Sequence, residues 1–362
     1  MQSMKTSRLM NAPSTGWLFA LPAAFLMFLF IVVPFLLAFY FSFTNQRFAS
    51  PNAAEYVGIE NFRQLLNVSV LTIEPERDPT TNDVIKEPDG SFKYPAVRSF
   101  TRNNPDFPQY KGMREWFSWS SGGNRKVVLA SDVVFMKALI NTFLFVLFVA
   151  PLQGGLALCL ALMINQKLRG INFFRTIYFM PVVVSMVVVA LLWRFIYDGQ
   201  NGLLNTLLSG LTFGWFQPVD WLGNASTAFP ALIAMSIWQA VGFHMVIWLA
   251  GLQTIPVSLY EAADIEGVSA WQRFRYVTWP GLRNTAILVL LVITMQAFAL
   301  FIQVAVMTGG GPVDSTQSVV FQAIDRGYGK QDISGGSTIS VVLFLIVLLI
   351  SVTQRYLTRE KT

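Results

Sequence analysis

The chain has 362 residues, enough for two soluble domains, but 54% of them are hydrophobic, 14% aromatic and only 13% charged. That balance excludes an ordinary water-soluble protein and describes a polytopic membrane protein whose solvent is largely the lipid bilayer. The net charge of +6 does not point to nucleic acid, because the basic residues sit at the ends of apolar spans instead of on one polar face, and a single cysteine (Cys159) with a single histidine (His244) leaves no disulfide, no metal-ligand set and no expected cofactor.

Six apolar spans follow one another, at approximately 17–43, 137–164, 176–197, 229–252, 285–307 and 337–355. Each is long enough to cross a hydrocarbon core of about 30 Å as a helix, so the fold class expected is an all-α polytopic membrane protein with six transmembrane helices. Residues 1–43 hold an N-terminal tail and the first span. Lys5 and Arg8 precede that span, but it runs well past the length of a signal-peptide core and no small-x-small cleavage site follows, so it reads as a retained anchor. Residues 44–135 form a large loop. Its short strand signals and its turns at Asp89-Gly90 and Gly122-Gly123 predict a small cap, partly β and partly irregular. Residues 136–355 carry spans two to six, and 356–362 a C-terminal tail. Prolines 22, 34, 151, 181 and 230 lie in or at the ends of spans, where neighbouring helices or a water-filled cavity must satisfy the freed carbonyls.

An even number of spans puts both termini on one side. Lys5, Arg8, Lys167, Arg169, Arg175, Arg273, Arg275, Arg283, Arg355, Arg359 and Lys361 fall on that side, whereas the loop 198–228 has no Lys or Arg. The positive-inside rule then makes both termini cytoplasmic and the 44–135 loop external; the loop's 11 Lys and Arg do not oppose this, since loops longer than about 60 residues cross regardless of charge. Arg194 and Asp198, one turn apart at the outer end of the third span, read as an ion pair.

The fourth span sets Ser236, Gln239, Ala240 and Phe243 on one helical face, with His244 beside it as a packing residue. In the fifth, Gln296 and Gln303 are seven apart, and Ala297 and Leu300 adjoin their stripe. Neutral polar groups and an aromatic face inside a membrane suit a path for a hydroxyl-rich solute; the plainer alternative is that each glutamine only bonds a neighbouring helix.

Between these two spans lies the most polar of the short segments, residues 253–284. Ser258 with Glu261, and Ser269 with Gln272, have capping-box spacing, so each pair predicts a helix start, with Gly267 as the breaker between the two helices and Pro280 as the stop. Ala262 and Ala263 give the first helix a small-residue surface, and Trp271, Phe274 and Thr278 lie along one side of the second. Such a pair suits docking into a groove on a soluble partner, or lying at the interface with Trp271, Phe274 and Trp279 among headgroups and Arg273 and Arg275 on anionic lipid.

The run Glu261-Ala262-Ala263, then Gly267, then an apolar residue before Pro280 resembles the EAA loop of the membrane subunits of binding-protein-dependent ABC importers, with Glu266, Val268 and Trp279 as departures from the usual pattern. That resemblance implies a coupling helix seated in an ATP-binding subunit, with Glu261, Ala262, Ala263, Asp264, Gly267, Phe274 and Pro280 as its residues. Gly58-Ile59-Glu60-Asn61-Phe62, Arg169-Gly170 with Phe173-Phe174-Arg175, Pro181, Gly202-Leu203-Leu204-Asn205 and Thr308-Gly309-Gly310-Gly311-Pro312 with Ser315-Thr316 resemble, in the same order, the sugar branch of these permeases. The resemblance implies an inner-membrane permease subunit working with a dimer of ATP-binding subunits, a second, related permease and an extracytoplasmic sugar-binding protein, with a sugar site near Gln239, Phe243 and Gln296. It does not cover 68–130, an insertion of open role. The chain has no Gly-x-x-x-x-Gly-Lys-Ser/Thr loop and is not expected to be an enzyme. A permease for an amino acid or polyamine is the nearest alternative; an ion-coupled secondary transporter would need intramembrane acids that the apolar centres of the spans lack, and a membrane enzyme would need a His or metal-ligand cluster.

Overall fold

The computed structural model describes residues 13–102, 104–166 and 170–358. Lys5, Arg8, Lys167, Arg169, Arg359 and Lys361, invoked above for the topology, lie outside the described residues.

Helix α1 (Pro13–Met27) passes through a π-turn, Phe28–Val32, into α2 (Val33–Phe41), and α3 (Glu60–Leu66) follows. Then come strand β1 (Val68–Ile73), the short α4 (Arg98–Thr101), β2 (Arg114–Ser121) and β3 (Asn124–Ala130). The rest is helical: α5 (Val133–Ile164), α6 (Ile171–Val183), α7 (Met186–Ile196), α8 (Leu203–Leu211), α9 (Ala225–Gln253), α10 (Val257–Ile265), α11 (Ala270–Arg273), α12 (Trp279–Gly281), α13 (Arg283–Phe298), α14 (Ile302–Met307), α15 (Val319–Ile324) and α16 (Ile333–Thr358). Among the described residues four helices are long and apolar enough to cross a membrane, and two bent pairs raise the number to six if each pair is one span.

One bent pair, α6–α7, falls within an expected span; the other joins the polar segment Ala270–Gly281 to α13, and the fifth span carries a further break of its own. Span 176–197 breaks between α6 and α7, whose axes differ by 98°. Pro181 removes one backbone donor from the last turns of α6; Val184 and Ser185 then run extended (ψ 138° and 133°), and the Ser185 carbonyl restarts the helix by accepting the Val189 N–H. Span 285–307 opens after Phe298 and resumes at Ile302, with Phe301 at φ −140°, ψ −62°. Ser318 Oγ donates to the freed Leu300 carbonyl at 2.5 Å, which satisfies a group that hydrocarbon would not. The Arg194–Asp198 ion pair is also absent: among the described residues Asp198 instead accepts the N–H groups of Gln200 and Asn201, at 3.1 and 2.8 Å.

The all-α class needs one amendment, a three-stranded antiparallel sheet of order β1-β3-β2 in the 44–135 segment. Val68 and Arg114 flank Ala130 in register, and Ser121 faces Asn124 across a two-residue turn whose Gly122 and Gly123 take φ +61° and +82°, the left-handed pair that a tight hairpin requires. Leu71, Ile73, Met113, Val127 and Leu129 form its own small core, closed by Tyr94, Val97, Phe100 and Tyr110.

The chain divides into two compact units. In the first, residues up to Leu65 with 323–342, Asn61 Nδ2 donates to the carbonyls of Ser42 (2.9 Å) and Thr44 (2.7 Å) and so caps the end of α2, while Phe62 packs on Phe43. This accounts for the Gly-x-x-Asn-Phe signal. Thr44 meets Ser334 at 3.2 Å, and a Cβ on Gly336 would lie 2.8 Å from Gly327 Cα.

In the second unit, 66–322 with 343–362, α9 is the central helix. Trp248 Nε1 donates to the Gly154 carbonyl of α5 at 3.1 Å, and Gln153 Nε2 meets His244 Nδ1 at 2.7 Å. Gly242 brings α9 against the Tyr178 carbonyl of α6, and Gly251 rests on the Thr285 side chain of α13. Phe145, Leu232, Met235, Met245 and Ile293 fill the core between these contacts. Asn205, buried at the head of α8, donates to the carbonyls of Asp198, Gly199 and Val219 and accepts from Trp221 Nε1 at 2.8 Å, which explains why the Gly-Leu-Leu-Asn segment carries an asparagine.

Candidate functional site

A cavity of about 400 Å³ opens between α5, α9, α13 and the α6–α7 and α13–α14 breaks. Ser236, Gln239, Ala240, Phe243, Gln296 and Ala297 line it. Leu300, expected on the same stripe, does not: it is 1% exposed and lies in the break after α13, where the helical register that would have aimed it at the cavity is lost. The broken helices bring residues that a continuous-helix reading could not: Met186 from the start of α7, and Ala299 and Ile302 beside Gln303. Gln153 was missed as well. Its signal was available, since it is an amide in the middle of an apolar span.

The lining carries no Asp, Glu, Lys or Arg. Among the described residues the side chains of Gln239, Gln296 and Gln303 make no hydrogen bond to protein, and the buried Ser236 Oγ has no partner. Each amide offers two N–H donors and an accepting oxygen. The wall therefore presents neutral donors and acceptors, together with the Phe243 ring, to a polar, uncharged solute. His244 is fully buried and does not line the cavity; it packs edge-on to Phe243, ring centroids 5.2 Å apart.

The 253–284 segment is a pair of helices joined by a turn. Gly267 takes φ +70° there, and a Cβ would meet nothing within 4 Å, so glycine is required by the backbone and not by space. Ser269 and Gln272 form the capping box, with N–H to side-chain contacts of 3.3 and 2.8 Å. Ser258 and Glu261 do not. Pro256, extended and with its ring fixing φ at −57°, occupies the N-cap position, so α10 starts at Val257 and Ser258 is already inside the first turn. The second helix runs unbroken from Ala270 through a π-turn, Phe274–Thr278, to Gly281, one residue past Pro280, and the chain then bends by 69° at Leu282.

Glu261, Ala262, Asp264, Gly267 and Pro280 are exposed, Ala263 is buried, and Phe274 is half-buried, stacked on Trp271 at 5.7 Å. Asp264 pairs with Arg273 across the turn at 2.9 Å, and Tyr260 meets Thr278 at 3.2 Å. Ile265 and Trp271 stand 87% and 69% exposed at the tip. On the far side of the unit, Gly309 and Gly310 take φ +60° and +86°, so that Thr308 and Thr316 hydroxyls meet at 2.7 Å, and Asp314 pairs with Lys137 of α5 at 3.2 Å.

Broken apolar helices around an uncharged cavity that carries four glutamines, with an exposed helical knuckle between two spans, define a membrane transport component. The chain belongs to the family of binding-protein-dependent transport system inner membrane components, whose sequence model matches residues 153–361. It is thus a multi-pass inner-membrane protein of the ABC permease class. It is 38% identical over 197 residues, 54% of this chain and 65% of the other, to a trehalose/maltose transport system permease protein of Thermococcus litoralis. It is 34% identical over 272 residues, 74% and 89% of the two chains, to a lactose transport system permease protein of Rhizobium radiobacter. Its fold matches a chain of a crystal structure of a bacterial ABC transporter involved in the import of the acidic polysaccharide alginate, with a TM-score of 0.67 at 18% identity over 98% of this chain and 99% of that one.

Proposed function

We propose that this permease subunit forms the translocation path for an uncharged sugar or oligosaccharide, handed over by an extracytoplasmic binding protein and driven by ATP hydrolysis in separate ATP-binding subunits. The observation that carries the reading is the cavity wall, uncharged and rich in amides without protein partners. A zwitterionic amino acid or a polyamine moved into such a site would keep its charge unpaired, which is strongly unfavourable away from water, whereas hydroxyl groups exchange water for amides at little loss. The trehalose/maltose and lactose relatives point the same way.

In this reading both termini are cytoplasmic, the sheet-bearing segment is external, and the knuckle at 257–281 couples to the ATP-binding subunits, with Glu261, Ala262, Ala263, Asp264, Gly267, Phe274 and Pro280 forming or positioning its contact face. A second, related permease completes the pathway. ATP binding draws the two coupling knuckles together, the helices rock to open the cavity outward, and hydrolysis resets them; each ligand moves this equilibrium only by its differential contact with the two states.

The test is uptake into proteoliposomes carrying the whole transporter with its binding protein, using labelled neutral disaccharides, uronates and amino acids. Neutral sugar should be taken up with ATP, and Gln239→Leu with Gln296→Leu should reduce uptake by roughly tenfold or more while leaving basal ATPase in place, the loss of about two buried hydrogen bonds. Uptake of amino acid alone, or full sugar uptake by the double variant, would remove the sugar assignment.

A further inference from the structure

Between the third and fourth spans the chain carries an apolar surface that the described residues leave uncovered. Helix α8 is nine residues long, about 14 Å, and its two sides differ. Asn205 is buried and ties the helix to the chain on either side, through the carbonyls of Asp198, Gly199 and Val219, while Leu204 packs against the main core. On the opposite side Leu203, Leu207 and Leu211 recur at i, i+4 and i+8 and stand 64%, 56% and 68% exposed.

The turn after α8 extends this stripe. Phe213 takes φ +52°, a left-handed conformation uncommon for residues other than glycine, and Gly214 follows at +84°, its N–H donating to the Ser209 carbonyl at 2.8 Å. Phe213 and Trp215 stand 96% and 91% exposed there, so an uncommon backbone conformation presents two large rings to the surroundings and buries neither. The two carboxylates of the loop 198–228 are engaged by its own backbone: Asp198 accepts the N–H groups of Gln200 and Asn201, and Asp220 accepts that of Gly223 at 2.8 Å.

We infer that α8 and the Phe213–Trp215 turn form an anchor lying in the outer leaflet of the bilayer, at the boundary between headgroups and acyl chains, an inference that rests on the external placement of this loop in the functional reading above. Helix α8 is bonded back to the end of α7, which belongs to a membrane span, and α7 itself exposes Leu192 and Phe195, at 55% and 73%, in its last turns; lipid-facing surface thus reaches the root of the loop. A soluble protein that docks and leaves would strand the stripe in water during every cycle, whereas the bilayer covers it throughout. A leucine face that ends in phenylalanine and tryptophan settles roughly 5–10 Å into that boundary. Because Asn205 also accepts from Trp221, on the way into α9, the anchor holds the outer ends of α7 and α9 at one level while the spans rock.

The test uses the whole transporter in nanodiscs. The native Cys159 is replaced by alanine, and single cysteines are introduced as Leu207→Cys and Trp215→Cys, with Leu192→Cys in α7 as the lipid reference and Gln200→Cys as the water reference. Each carries a nitroxide whose relaxation by oxygen and by a water-soluble nickel chelate is measured, and melting points show that the variants are folded. Positions 207 and 215 should match 192, with an oxygen-to-nickel ratio roughly fivefold or more above that at 200. Nickel access at 207 and 215 equal to that at 200 would place the stripe in water and overturn the inference. So would exclusion of both reagents, which means that a protein surface, such as the second permease, covers it. Sidedness is read separately, by labelling Gln200→Cys in spheroplasts with a membrane-impermeant maleimide. Labelling only after lysis would put the loop inside, so that the topology of the functional reading fails while the relaxation data alone judge contact with lipid.

Discussion

Gly242 sets the distance between α9 and α6, and Gly242→Ala is the sharpest perturbation available. A Cβ built there falls on the Tyr178 carbonyl and comes within 3.1 Å of Phe179 Cα. Both neighbours are backbone, so no side chain can swing aside, and the helices must part by about 1 Å or more to restore van der Waals contact. Overpacking of this kind costs about 1–3 kcal/mol, against which the higher helix propensity of alanine returns about 0.5–1 kcal/mol. The control is Gly155→Ala in α5, where a Cβ meets nothing within 4 Å and propensity alone should act. In a thermal melt followed by the monodisperse fraction in detergent, Gly242→Ala should fall by several degrees and Gly155→Ala should hold or rise slightly. Val182 and Met186, beside the α6–α7 break, line the cavity, so the displaced helix should also weaken sugar transport. Equal melting of Gly242→Ala and the native protein would refute the claim that backbone contact fixes this helix pair.

Gly267→Trp should cost only about 1–2 kcal/mol of stability, the strain of a side chain at φ +70°, yet abolish ATP-driven uptake by blocking the knuckle; copurification with the ATP-binding subunit reads this directly. A double-mutant cycle on Asp264 and Arg273, whose side chains are 63% and 42% exposed, should give a coupling of less than about 1 kcal/mol in thermal stability, and a larger value would mean that the pair is shielded by its surroundings. Asn205→Ala strips three carbonyls of their donor and Trp221 of its acceptor, and should destabilise the protein by about 1–3 kcal/mol, seen as earlier proteolysis of the 198–221 loop.

Much of this fold was legible because lipid makes sequence patterns blunt: long apolar runs become helices, and glycine, asparagine and proline mark where they stop. Gln239 and Phe243 were placed on one face by simple counting along α9, which is an unbroken helix. Leu300 was misplaced because counting assumes a continuous helix, and α13 ends at Phe298. That break depends on Ser318, eighteen residues away, supplying a donor to the freed carbonyl, and no local signal announces such a partner. Ser258 misled for the converse reason: its spacing to Glu261 is right, but Pro256 fixed the helix start two residues earlier. A cleft beside the sheet, lined by Arg98, Arg102, Arg114 and Arg125, was not legible at all, since these arginines come from α4 and the residue after it, from β2 and from β3, and only the register of the sheet assembles them.

The π-turn at Phe274–Thr278 has a bearing on how the knuckle is aimed. Such a turn amounts to one extra residue in an otherwise α-helical track, and one residue is about 100° of rotation about the helix axis. The tip that carries Gly267 is therefore phased against α13 by a single inserted position. Deleting one residue within 274–278 would let the track close as a plain α-helix, swinging Ile265 and Trp271 about a quarter-turn around it; the Asp264–Arg273 pair and the Ser269–Gln272 capping box would survive, and the Tyr260–Thr278 contact across the turn would not. Relatives with or without that residue would point the same knuckle at different faces of their partners, so that pairing between subunits can be retuned by changing the length of the chain at one point, with no change to the surface that docks.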